Sequence, residues 1–193
     1  MRPEILNSGY RPGTKLLFTL VRVFSGRPLP DAAKLVFYRP DFYGGPAKTF
    51  THEAMRGPSQ WSVGDRELMA AVVSQANDCA FCVGAHTATA EQAYRDAPKV
   101  RAVLTDLDSA PIGDGLRATL RMLTKLTRQG TVSANDMRQV LAAGVSRRQV
   151  EDALAVCAAF NVTNRLADAF DFERLTPDGY AAGARFLLKR GYR

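Results

Sequence analysis

A helix start signal recurs along this chain, each time ahead of a run of helix-forming residues, and it does most to limit the possible folds. Ser62 is followed three residues later by Asp65, and Ser133 by Asp136, while Ser146 opens a third run. A serine in that position accepts a backbone N–H of the first turn, and an acid three residues on can return the bond. Behind Ser62 comes Glu67-Leu68-Met69-Ala70-Ala71-Val72-Val73-Ser74. These residues are good helix formers and so apolar that the helix must be buried. It is expected to end near Asn77. Asp78 is then expected to cap the next helix, with Cys79 in its first turn and the end near Tyr94. Leu116, Leu120, Leu123 and Leu126 recur at helical spacing and predict a helix over 115–128, closed by Gly130. The Ser133 helix should stop at Gly144. The Ser146 helix should reach about Phe170, and a last helix should cover 178–189. No segment alternates in the manner of a strand, so the expected fold is all-α.

With 193 residues, 46% of them apolar, the chain can furnish one compact helical domain over 1–193. Three parts are expected within it: an irregular N-terminal extension over 1–60, a core over 62–170 and a C-terminal helix within 176–193. The extension holds the turn signals Arg27-Pro28-Leu29-Pro30, Arg39-Pro40-Asp41 and Gly44-Gly45-Pro46. Short helices are expected between them, over about 14–24 and 31–37. No stretch approaches the ~20 apolar residues of a membrane span. The apolar run over 16–21 is broken by Arg22, lacks a cleavage site and reads as a buried or subunit-contacting helix. Three cysteines make a poor disulfide framework, and no export signal is present, so a cytoplasmic protein is expected. The formal charge of +7 is spread along the chain. Its densest points, Arg147-Arg148 and Lys189-Arg190-Gly191-Tyr192-Arg193, are not interleaved with aromatics as a single-strand-binding surface would be. They read as solvated basic surface, which argues against nucleic acid.

Chemistry is concentrated in Glu67, Cys79-Ala80-Phe81-Cys82 and His86. Helical offsets of three and four put both thiols and the imidazole on one face. At a helix N-terminus, Cys79 would gain from the backbone N–H groups and the dipole, which favour a negative sulfur. His86, one turn beyond Cys82, can accept a thiol proton directly or through a water. Glu67 lies on the preceding helix. A carboxylate in so apolar a run is costly to bury without a partner, and His86 is the natural candidate. Two other readings of the cluster stay open. Four such side chains can ligate zinc, although structural sites usually draw two of their ligands from a distant segment. The two thiols can also be plain core residues. Cys157, in Val156-Cys157-Ala158-Ala159-Phe160, reads as core packing, and His52 as an exposed or capping residue.

The stretch over 137–154 offers a different class of function. Gly144, then Val145-Ser146 and Arg147-Arg148, resembles the turn and second helix of a helix-turn-helix DNA-binding motif. That second helix continues as Ala155-Val156-Cys157-Ala158-Ala159-Phe160, too apolar for an exposed recognition helix. Two packed helices are the expectation.

The stretch over 65–74, the stretch Asn77-Asp78-Cys79-Ala80-Phe81-Cys82-Val83-Gly84-Ala85-His86-Thr87 and the later Asn161-Val162-Thr163-Asn164-Arg165-Leu166-Ala167-Asp168-Ala169 together resemble a known family. It is the alkylhydroperoxidase D-like, peroxidase-related branch of the carboxymuconolactone decarboxylase superfamily, and the likeness covers about 62–170. The resemblance implies an all-helical fold, homo-oligomers (dimer, trimer or hexamer) and a thiol-dependent peroxidase-like activity. Carried over by position, it implies that Cys82 attacks a hydroperoxide and Cys79 resolves the product, with His86 and Glu67 as a proton relay. It implies no bound cofactor or metal; a lipoyl-bearing or thioredoxin-like dithiol would reduce the oxidised pair. The best-known hydroperoxidase of the branch carries a histidine just before the second cysteine, where this chain has Phe81. A disulfide-reducing adaptor without peroxide turnover is therefore kept as the alternative.

Overall fold

The computed structural model describes residues 5–38 and 40–192, and among them every regular element is a helix. Arg39 of the expected turn, Arg193 of the basic tail and residues 1–4 lie outside the described residues. In chain order the elements begin with α1 (Ile5–Ser8), α2 (Pro12–Ser25) and α3 (Asp31–Phe37). A π-helical turn, Pro40–Gly44, leads into α4 (Gly45–Arg56). Then come α5 (Val63–Ala76), α6 (Ala80–Tyr94), α7 (Ala97–Thr105) and α8 (Asp114–Gln129). The chain closes with α9 (Ala134–Ala142), α10 (Arg147–Ala169) and α11 (Pro177–Arg190).

The three serine start signals act as caps. Ser62, Ser133 and Ser146 each close a capping box with Asp65, Asp136 and Gln149 respectively. Expected and observed helices agree within about two residues over 62–190, apart from α7, which Asp96 caps and Pro98 opens. The short helices expected over about 14–24 and 31–37 are α2 and α3, and α1 and α4 add helix where an irregular extension is expected. Gly44-Gly45-Pro46 reads as a turn, but proline is tolerated in a helix's first turn, where its missing N–H has no partner to lose. Here it starts α4.

Helix α5 is the axis of the domain. Ten of the eleven residues from Gly64 to Ser74, all but Asp65, are buried, and Leu68, Met69, Ala70, Ala71 and Val73 are wholly so. Each large apolar side chain buried in this way contributes roughly 1.5–3 kcal/mol. Helices α4, α6, α8 and α10 surround it, and their apolar residues complete the main core. A second, smaller cluster joins Cys79, Phe81 and Cys82 to Leu6, Leu35, Ala167 and Phe172.

Helix α11 lies across α6. A Cβ at Gly84 would come within 2.5 Å of the Tyr180 ring, so glycine there lets α11 seat against the turn that follows Cys82. Helices α9 and α10 both pack on α8, with Val140, Val145, Val150 and Ala153 in the main core. The Trp61 indole N–H also donates to the Gln149 carbonyl in the first turn of α10 (2.8 Å). That helix is embedded, as the apolar continuation predicts.

Candidate active site

The site forms where α5 turns into α6. Asp78 adopts φ 57°, a left-handed conformation that aspartate tolerates better than most residues. Its N–H bonds the Gln75 carbonyl and the Cys79 N–H bonds the Ser74 carbonyl, closing α5 as α6 opens. The N-cap of α6 is therefore Cys79, with extended backbone, rather than the expected Asp78. This shift of one residue moves the Cys79 sulfur to the mouth of the helix, where the free N–H groups favour negative charge. Cys82 follows in the first turn. Both thiols are buried, and neither is in a disulfide.

The Cys82 thiol hydrogen-bonds the Cys79 sulfur and lowers its pKa, and the Cys82 backbone N–H adds to this against burial and the Asp168 carboxylate. Cys82 is pushed the other way, first by serving that bond and then by burial, with a partial offset from Asn164. Asn164 is itself fixed, since it donates to the Ser74 hydroxyl (3.0 Å) and accepts from Asn77 (3.0 Å).

The other end of the site is ionic. Glu67 is fully buried, and its carboxylate meets three partners. His86 Nδ1 lies 2.8 Å from Oε2, the Arg56 guanidinium donates to Oε1 at 2.6 Å, and the Tyr192 hydroxyl donates at 3.0 and 3.2 Å. Burial would raise the pKa of Glu67, but the His86 bond and charge and then Arg56 outweigh it, and the carboxyl is held below its ordinary value. The Tyr192 hydroxyl moves well upward, first from burial and then from the Glu67 charge. The His86 ring is wedged edge-on against Phe160 (4.2 Å between centroids).

Sequence reasoning names Glu67, Cys79, Cys82 and His86, and along the packed α5 and α6 the structure pairs His86 with Glu67 and Cys79 with Cys82. Arg56, Tyr192, Asn164 and Asp168 are missed as site residues. Tyr192 also corrects the reading of the tail as basic surface, because its hydroxyl reaches the centre of the site. His52, expected to be exposed or capping, instead accepts the Tyr192 N–H through Nδ1 (3.2 Å). Its position four residues before Arg56 on α4 is the one signal that could have linked them. Cys157 sits apart in the main core, against Thr127 and Asn161, and burial raises its thiol pKa. Phe81 packs edge-on to Phe172 and beside Tyr180, so the position between the cysteines is an apolar wall. Among the described residues, no group of three or more His, Cys, Asp or Glu is arranged to hold a metal ion. No helix among them is long and apolar enough to cross a membrane.

Residues 40–125 match the model of the carboxymuconolactone decarboxylase family. The match starts at the π-helical turn, so α4 with Arg56 lies inside it, and the dithiol and Glu67 lie within it as well. A peroxidase-related protein from Silicibacter sp. TM1040 has the same fold, with TM-score 0.75 and 24% identity over 91% of each chain. A second peroxidase-related protein, from Ralstonia eutropha JMP134 and described as an alkylhydroperoxidase AhpD core, gives TM-score 0.74 at 22% identity. It covers 96% of this chain and 95% of its own. The debrominase Bmp8 shares the fold more distantly, at TM-score 0.65 and 15% identity over 90% of this chain and 92% of its own. No curated protein is matched by the sequence. The all-α, alkylhydroperoxidase D-like fold expected from the sequence is thus the fold observed.

Proposed function

We propose that this protein is a thiol-dependent peroxidase-like oxidoreductase that reduces hydroperoxides through its Cys79/Cys82 pair. The observation that carries the reading is a dithiol at the mouth of α6 with His86 one turn further along that helix, paired to the buried Glu67 of α5. Cys82 sulfur attacks the terminal oxygen of ROOH. The O–O bond breaks, ROH leaves with a proton delivered through His86, and Cys82 becomes a sulfenic acid. The Cys79 sulfur then attacks the Cys82 sulfur. The proton that Cys79 took from Cys82 passes to the departing hydroxide, which leaves as water, and the S–S bond closes. The dithiol has given two electrons to the peroxide. An external dithiol, lipoyl-bearing or thioredoxin-like, returns two electrons and two protons and is itself oxidised to a disulfide. Cys82's proton already faces Cys79 in the resting pair, so Cys79 can take it as the attack begins.

The opposite order, with Cys79 attacking and Cys82 resolving, is favoured by one observation, the lowered pKa of Cys79. Hydroperoxide treatment of Cys79→Ser and Cys82→Ser separates the two. The proposed order predicts a sulfenic acid on Cys82 in Cys79→Ser and inert Cys82→Ser protein; the reverse result assigns attack to Cys79. If peroxide leaves both thiols intact while a disulfide substrate is reduced, the protein is a disulfide-reducing adaptor.

Self-association is part of the proposal, with a second copy of this chain as the partner. Along α2, Leu16, Leu20, Val23 and Phe24 are exposed on one face, Phe24 at 85%. Phe18, on another side of the same helix, faces inward, edge-on to Tyr10 and Phe37. Light scattering should show an oligomer that Leu20→Asp/Phe24→Asp dissociates; a monomeric wild type contradicts this part.

A further inference from the structure

Glu67 has a third partner in Tyr192, which reaches it from beyond the end of α11. The chain leaves α11 through Gly191, at φ 67° and ψ −150°, a left-handed conformation that glycine alone adopts without strain. A Cβ at that position would also lie 2.7 Å from the His52 ring. The turn sends Tyr192 back under α4, where His52 Nδ1 accepts its N–H. The Tyr192 ring then lies under the Arg56 guanidinium at 5.1 Å and stacks, at 18° between planes, toward His86. Arg56 is anchored separately, through the Met55 and Leu187 carbonyls. Two elements distant in sequence from α5 thus converge on one carboxylate.

We infer that Tyr192 is a positioning residue for Glu67, its hydroxyl delivered by the Gly191 turn to hold the carboxylate against Arg56 and His86. The inference rests on the proton relay of the proposed function. His86 can shuttle protons in that relay only while Glu67 orients its Nδ1, and the orienting form is the carboxylate. The charged and titratable groups around this point are Arg56 and His52 from α4, Arg66 from α5, His86 and Cys82 from α6, and Tyr192 itself. Arg56, Arg66 and the Tyr192 hydroxyl all favour the ionised carboxylate. A phenylalanine at 192 keeps the ring, its stacking and its place under Arg56, and removes only the donor. The same side chain also explains why a glycine precedes it, since any other residue at 191 would meet His52 and carry the ring away.

The test is the pH profile of Cys79–Cys82 oxidation by tert-butyl hydroperoxide, read as disulfide formation by mass spectrometry. In wild type the rate falls at acid pH as Glu67 takes up a proton. In Tyr192→Phe the carboxylate has lost a donor, so the acid limb should move to higher pH by about one unit, the size of one hydrogen bond to a charged acceptor. Gly191→Ala should move it in the same direction. An acid limb at the wild-type pH in Tyr192→Phe overturns the inference. So does a rate lowered equally at every pH, which is what loss of packing alone would give. Glu67→Gln should remove the acid limb altogether, and Cys82→Ser the reaction. If both behave as wild type the peroxidase reading itself has failed, whereas if they respond and Tyr192→Phe does not, only this inference has. A readout independent of activity is the infrared carboxylic-acid band that Glu67→Gln abolishes, followed against pH in Arg56→Gln and Arg56→Gln/Tyr192→Phe. The band should appear at higher pH in the double variant; coincident titrations overturn the inference.

Discussion

Helix α6 carries two parts of the site that are built in different ways. At its first turn, the backbone that carries Cys79 and Cys82 is set by neighbours in sequence, the Asp78 turn and the Ser74 carbonyl, and Asn164 is the distant residue bonded to the Cys82 sulfur. One turn after Cys82, His86 is set by partners far from it, with Glu67 on α5, Arg56 on α4 and Tyr192 after α11. The thiol end lies in an apolar cluster, while the acid end is a buried ionic network. A locally built site tolerates distant change, because its geometry is carried by one turn. A site assembled from three elements depends on all of them being docked, and removing any partner strands a charge where water cannot reach it.

Variants should respect that contrast. The largest effect belongs to the thiol end, where Cys82→Ser should abolish hydroperoxide consumption while circular dichroism and melting temperature stay near wild type. Equal loss of fold would show that the thiol end is structural as well. At the acid end, Glu67→Gln should slow dithiol oxidation by about a hundredfold, the lower range for a positioned acid–base group. It should also destabilise the fold by about 3 kcal/mol, because Arg56 loses its buried counter-ion. Denaturant titration checks the second figure, and a loss of activity with full stability would break the ionic half of the account.

Acid should narrow that difference. Glu67's pKa is lower in the folded than in the unfolded chain. Its stabilising contribution is complete above the ordinary carboxylate value and is lost as pH falls through the folded one. The gap in melting temperature between wild type and Glu67→Gln should therefore be widest near neutrality and shrink below about pH 4. A gap constant with pH would contradict the ionic assignment. The smallest effect is expected of Cys157→Ala, which touches neither end. It should leave peroxide consumption within about twofold and cost about 1–2 kcal/mol for the lost side-chain packing.

The same contrast explains what the sequence alone makes legible. Ser62, Ser133 and Ser146 mark their helices through bonds made within three residues, and the spacing from Cys79 to His86 lies within a single helix. Glu67 is legible for another reason, because a carboxylate in an apolar run needs a partner and His86 is the nearest candidate. Arg56 and Tyr192 carry no such mark. Arg56 follows a glycine-proline signal that reads as a turn but begins α4, and Tyr192 sits in a tail that reads as basic surface. Their roles depend on how α4 and α11 dock, which is tertiary information. Asn164 stands in between: it lies in a motif quoted for the family resemblance, yet nothing local says that it meets Ser74, Asn77 and the Cys82 sulfur.

Mass spectrometry of the reduced protein after one equivalent of an organic hydroperoxide tests the central claim most directly. The account predicts one Cys79–Cys82 disulfide and one alcohol formed per hydroperoxide consumed, with Cys157 still a thiol. Unchanged cysteines at neutral pH, or a bond that includes Cys157, would contradict it.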